Sequence, residues 1–171
     1  MNTINMLRLA DHIEKQPDNY DQGCYISEGY GCETPGCIGG FAAELVANDA
    51  GLQFYQWLDD GRGKAWNAAK VIETAIRFLD ISEADSCFLF AQHPSAYRQN
   101  WNPCAEEATE TLRHIAVTGE IAWIMLFDPN TDAHTYQVWR PGEDEPVETR
   151  HPHYRINQKA APAALDEDTT A

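Results

Sequence analysis

The run Gly31-Cys32-Glu33-Thr34-Pro35-Gly36-Cys37-Ile38-Gly39-Gly40-Phe41-Ala42-Ala43-Glu44-Leu45 constrains the fold more than any other stretch of this chain. Thr34 is a good N-cap and Pro35 suits the first helical position, so a helix is expected to begin here, reach about Asn48 and stop at Gly51. Cys37 then falls in its first turn. Ile38, Phe41, Ala42 and Leu45 recur at helical spacing, while Gly36, Gly39 and Gly40 leave one side bare enough for another element to approach the backbone. The expected product is a buried helix.

On either side of it, helical patterns dominate the first two thirds of the chain. Thr3 can cap a first helix with Ile4, Leu7, Ala10 and Ile13 on its inner face, and Pro17 ends it. Cys24-Tyr25-Ile26 reads as a short extended segment, and residues 52–58 are too short to classify. From Lys64, the positions Trp66, Ala69, Ile72, Ala75, Ile76 and Leu79 form an amphipathic helix. Ser82-Glu83-Ala84-Asp85 is a capping-box variant opening a short helix that carries Phe88, Leu89 and Phe90. Asn102-Pro103 starts another helix, with Ala108, Leu112, Ile115 and Ala116 on one face and its end at Thr118-Gly119. The apolar run 121–127 then reads as a strand buried on both faces, and 134–139 returns as its hairpin partner across a turn at 128–132. Residues 147–155 add a weak edge strand. The expected fold is α+β, mainly helical with about five helices and a C-terminal antiparallel β-hairpin, in one domain over residues 1–156. Residues 157–171 read as a disordered acidic tail.

Charge narrows the partners. The 171 residues carry 12 basic and 27 acidic side chains, a net charge of −15. Residues 1–60 hold ten acidic against two basic, and residues 141–171 seven against three, so the excess sits at the two ends. Such a surface repels nucleic-acid phosphates and anionic lipids, which argues against direct nucleic-acid or membrane binding. It suits either simple solubility or an acidic face that competes with nucleic acid for a basic protein. Residues 1–6 lack a basic region followed by an apolar run, and no long uninterrupted apolar stretch follows, so a cytoplasmic protein with reduced thiols is expected from its five cysteines.

Several segments together resemble a group of small uncharacterised proteins of bacteriophages and bacteria. They are Leu9-Ala10-Asp11-His12-Ile13-Glu14, Tyr20-Asp21-Gln22-Gly23, the run Gly31 to Ala42, Leu79-Asp80-Ile81-Ser82-Glu83-Ala84 and Leu112 to Trp123. The usual central run of that group is Cys-Gly-Thr-x-x-Cys-Ile/Phe-Ala-Gly-Trp/His-Ala. Here Glu33 stands for its glycine, Gly39 for its alanine and Phe41 for its larger polar-edged residue. The resemblance spans about residues 5–125; it implies a phage or prophage setting and hands over no catalytic residues.

Three chemistries compete for the remaining polar residues. A thiol in a first helical turn feels the positive helix end, so Cys37 is a candidate nucleophile, with His93, His114 or His134 as base. The order Cys37, His114, Asp128 parallels that of papain-like hydrolases, although His114 falls inside a helix pattern rather than on a strand. Cys24, Cys32 and Cys37 with His12 or His93 make a legal zinc set whose spacing lacks paired short knuckles, so no cofactor is expected and zinc is the alternative. His151 and His153 form a short pair in a terminal segment. Gly61-Arg62-Gly63-Lys64 has no strand before it and is no phosphate loop. Arg62, Lys64, Arg98, Trp101 and Arg113 are the residues from which a basic, aromatic-lined pocket for a nucleotide signal would be built. Weighed together, the expectation is an acidic binding protein that inhibits a host defence protein through its basic surface. A nucleotide sponge and a cysteine-dependent hydrolase are the alternatives.

Overall fold

The computed structural model describes residues 1–22, 36–58, 64–91, 103–128 and 133–149. In chain order these form helix α1 (Thr3–Glu14), a 3-10 turn (Pro17–Asn19), α2 (Ile38–Asp49), α3 (Phe54–Leu58), α4 (Lys64–Leu79), α5 (Glu83–Ser86) continued by a π-helical turn (Cys87–Ala91), and α6 (Ala105–Thr118). Strands β1 (Trp123–Asp128), β2 (Ala133–Trp139) and β3 (Val147–Thr149) follow. They pair antiparallel in the order β1-β2-β3, so the expected hairpin is the first two strands of a three-stranded sheet. The fold is α+β. Among the described residues, no helix is long and apolar enough to cross a membrane.

The start of α1 differs from its expected form in two ways. Asn2, not Thr3, caps it by accepting the Asn5 N–H at 3.1 Å. Its inner face is Met6, Leu9, Ala10 and Ile13, while Ile4 is 73% and Leu7 38% exposed. The physical reason lies on α4. Asn2 N donates to Leu79 O at 2.8 Å and Asn5 Nδ2 to Phe78 O at 2.7 Å, which turns the polar side of the first turn toward α4 and rotates Ile4 and Leu7 outward.

Helix α2 begins three residues later than its expected first position at Pro35. Cys37 is the N-cap, and its Sγ accepts the Gly40 N–H at 3.4 Å, so the thiol precedes the first turn instead of lying in it. Thr34 and Pro35 lie outside the described residues. Ile38 to Ala43 are all buried. The Phe90 ring lies 3.6 Å from the point where a Cβ on Gly39 would stand, and Ala75 Cβ lies 3.9 Å away. Those are ordinary contacts, so the close approach leaves room for a methyl group. At the other end Gly51 takes φ +73, and Leu52 N bonds Ala47 O at 2.9 Å, the left-handed stop that the glycine predicted.

Helix α4 keeps its expected bounds, but among its described side chains the buried positions are Ala68, Val71, Ala75, Phe78 and Leu79, with Ala69 exposed; the side chain of Trp66 lies outside the described residues. The Ser82 capping box forms with Asp85 as its acid partner. The following π turn delivers Phe88, Leu89 and Phe90 to the core, where Trp123 donates Nε1 to Phe88 O at 3.3 Å. Helix α6 starts two residues beyond Pro103, with Cys104 as cap and the Glu107 carboxylate accepting the Cys104 N–H. It ends at Gly119 with φ +73.

Strand β1 is buried on both faces, as its sequence predicted: Trp123 and Met125 join the main core with Trp139, while Ile124 and Leu126 cluster with Ala122 and Val138. Its N–H groups that face away from β2 bond side chains of α6. Ile124 N donates to Thr111 Oγ1 at 2.8 Å and Leu126 N to Glu107 Oε1 at 2.9 Å. Strand β3 is three residues long, and the rest of its expected range lies outside the described residues, as does the expected tail.

Candidate functional site

The starts of α2 and α6 both approach Tyr20. Its hydroxyl donates to Gln22 Oε1 at 2.6 Å, and the buried Gln22 amide in turn donates to Leu89 O at 3.1 Å and accepts from Ile38 N at 3.4 Å. Desolvation pushes the Tyr20 phenol well above its ordinary value, and the Cys37 thiol, Glu107, Cys104 and Asp21 add to it. Cys37 is buried among Ala43, Phe54, Leu58 and Val71. Desolvation likewise raises the Cys104 thiol, with the Glu107 backbone N–H working against it and the Glu107 charge adding to it. This neighbourhood disfavours negative charge.

The candidate base lies elsewhere. His114 is ten residues along α6 from Cys104, about 15 Å at the helical rise, and its Nε2 faces Glu120 Oε2 at 3.4 Å. Cys37 belongs to the Tyr20 end of that helix, so the structure does not bring the two together. Asp128 closes β1 opposite Ala133; its side chain is outside the described residues. Of the zinc candidates, Cys24 and Cys32 lie outside the described residues. His12 turns to Glu44, Nε2 to Oε2 at 2.7 Å, with the Phe41 ring 5.6 Å away and edge-on. Glu44 is seven residues, about two turns, beyond Cys37 on α2. Among the described residues no three His, Cys, Asp or Glu side chains could share a metal ion.

Arg62, Arg98 and Trp101 also lie outside the described residues, and Lys64 is described only as the first residue of α4. Arg113 is placed. Its guanidinium meets Glu14 at 2.7 Å and both Asp11 and Glu110 at 3.4 Å. Burial alone would lower its pKa, but the hydrogen bond and field of Glu14, helped by Glu110, raise it, and the Arg113 hydrogen bond holds Glu14 below the ordinary carboxylate value.

These ion pairs define a surface. Asp11 and Glu14 meet Arg113, and Glu14 and Pro17 border the same cavity as Ala105 and Glu106, so α1 and α6 run antiparallel. Positions 4, 7, 11 and 14 make one stripe of α1, and positions 106, 110, 113 and 117 one stripe of α6. Side by side, the stripes give an apolar end and an acidic end. Ile4, Leu7 and Val117, the last also 38% exposed, form the first; Asp11, Glu14 and Glu106 form the second. At the acidic end lies a cavity of about 350 Å³, lined by Glu14, Pro17, Ala105, Glu106, Thr109, Glu110 and Arg113. Thr109 is only 3% exposed, and among the described residues its Oγ1 has no hydrogen-bond partner.

Sequence reasoning singled out Arg113 but missed its neighbours. The signal that was present is the three-and-four spacing of Ile4, Leu7, Asp11 and Glu14, an apolar-to-acidic stripe that the inward assignment of Ile4 and Leu7 concealed. Compared with protein-family models, curated proteins and solved structures, the chain matches none.

Proposed function

We propose that this chain is an acidic binding protein, encoded by a phage or another mobile element, that acts in the host cytosol. It inhibits a host defence protein by occupying a basic, nucleic-acid-binding surface. The observation that carries the reading is the α1–α6 face, where exposed Asp11, Glu14 and Glu106 adjoin exposed Ile4, Leu7 and Val117. Carboxylates speed encounter with a basic partner, and the apolar end supplies area to bury once the two have met. The net charge of −15 extends the same preference over the whole chain, and the resemblance of its central run to phage proteins supports the setting.

Arg113 already engages three carboxylates, so this face favours a cationic partner over a phosphate. The test is affinity capture from bacterial lysate, followed by competition between the captured protein's nucleic acid and this chain at rising ionic strength. Binding that displaces nucleic acid and weakens with salt is expected. Affinity indifferent to salt, or a captured protein that keeps its nucleic acid, would count against the proposal.

A further inference from the structure

A separate cluster of titratable groups lies at the end of α6 remote from Tyr20, where helix, connection and sheet meet. His114 is 2% exposed, and its Nε2 stands 3.4 Å from Glu120 Oε2. The other oxygen of that carboxylate accepts from Arg140 Nε, and Arg140 reaches Glu143 through its backbone N–H at 3.2 Å and Nη1 at 3.4 Å. Glu143 O in turn accepts the Trp139 indole N–H at 2.9 Å. One run of contacts therefore leads from α6 through the α6–β1 connection to the turn after β2.

The charged groups of the elements packed against α6 are engaged elsewhere. On α1, Asp11 and Glu14 meet Arg113, while Arg8 and His12 turn to Asp49 and Glu44 of α2. Asp18 of the 3-10 turn follows Pro17, which borders the opposite end of α6. On α6 itself, Glu110 meets Arg113, and Glu107 accepts from Cys104 N and Leu126 N. Among the described residues, Glu120 is the carboxylate that faces the imidazole. Burial disfavours a charged imidazole, and a carboxylate within about 4–6 Å favours it. With His114 neutral, Glu120, Arg140 and Glu143 sum to one negative charge; with an imidazolium, positive and negative groups alternate and balance. The Arg140 hydrogen bond foremost, with the His114 charge adding to it, holds the Glu120 carboxyl below its ordinary range, so the acceptor stays ionised while the imidazole titrates.

We propose that His114, Glu120, Arg140 and Glu143 form a pH-sensitive clasp between the end of α6 and the turn after β2. A proton from solvent adds to the imidazole, gives Nε2 a charged N–H for Glu120 Oε2 and fastens the connection to Arg140. Loss of that proton leaves Glu120 to Arg140 alone and loosens the turn. The clasp is fully closed below the ordinary imidazole value of about 6.5 and opens as pH rises through the His114 midpoint. It stands apart from the α1–α6 face and does not depend on the protein-binding reading.

The test follows imidazole nitrogen and backbone amide resonances of the isotope-labelled full chain from about pH 5 to 8. His114 is expected to titrate, with the amides of Glu120, Arg140 and Glu143 moving at the same midpoint. Glu120→Gln, at a side chain 40% exposed, should lower that midpoint by about one unit and leave the Arg140 and Glu143 amides still. An imidazole that stays neutral down to the lowest pH, a midpoint that Glu120→Gln does not move, or amides that titrate in the variant as they do in the parent would each overturn the clasp.

Discussion

Glu107 Oε1 accepts the Leu126 N–H at 2.9 Å while its Oε2 accepts the Cys104 N–H at 3.1 Å, so one buried carboxylate joins the start of α6 to the edge of β1. Glu107→Gln keeps one acceptor but turns an N–H₂ group toward one of the two donors. The expected cost is about 1–3 kcal/mol, because a buried donor loses its partner. Urea unfolding measures it; a variant as stable as the parent would show that the carboxylate has no such joining role.

Gly39 offers the opposite sign. A methyl group there meets the Phe90 ring at 3.6 Å and Ala75 Cβ at 3.9 Å, both ordinary contacts, and the position is helical. Gly39→Ala is expected to stabilise by about 0.5 kcal/mol, mainly by restricting the unfolded chain. A raised thermal midpoint is the readout, and a lowered one would mean that Phe90 cannot yield.

The rotation of α1 separates two residues of similar size. Leu9 is fully buried and Ile4 mostly exposed. Leu9→Ala should cost about 2–5 kcal/mol, whereas Ile4→Ala should stay within about 0.5 kcal/mol. Equal costs in denaturant melts would restore the inward face that the sequence pattern implied.

Acid should loosen the α1–α6 contact and the one between the α6–β1 connection and the residue that follows β2. Glu14 is held below its ordinary value by the Arg113 hydrogen bond, and Glu120 by that of Arg140. A lowered folded-state pKa contributes stability that is present above the unfolded value of about 4.3 and lost as pH falls through the folded one. Carboxyl titration by NMR should therefore find both groups below that value. Arg113→Gln should return Glu14 toward it, and Arg140→Gln should do so for Glu120; an unmoved midpoint would break the assigned cause.

Local signals in the sequence carried much of this fold. The bounds of α4, the left-handed stops at Gly51 and Gly119 and the Ser82 box follow from residues within a turn of one another. What stayed hidden depends on distant partners. Asn5 looks like any polar helix residue until Phe78 O, seventy-three positions away, fixes its direction. Cys37 and Cys104 were overlooked as caps because better-ranked capping residues stand nearby, at Thr34 and Asn102. In the candidate site, Glu106, Glu107 and Glu110 form one acidic cluster in sequence. Only the fold separates the outward Glu106 from the buried Glu107 and the Arg113-bound Glu110.

Thr111 and Glu107 occupy the outward N–H groups of Ile124 and Leu126, which has a consequence for self-association. A foreign strand that tried to extend the sheet beside β1 would have to displace both side chains first. On the opposite margin, β3 offers a ladder of three residues. The β1 side of the sheet is thus guarded against runaway polymerisation, and among the described residues the β3 side gives only that short template.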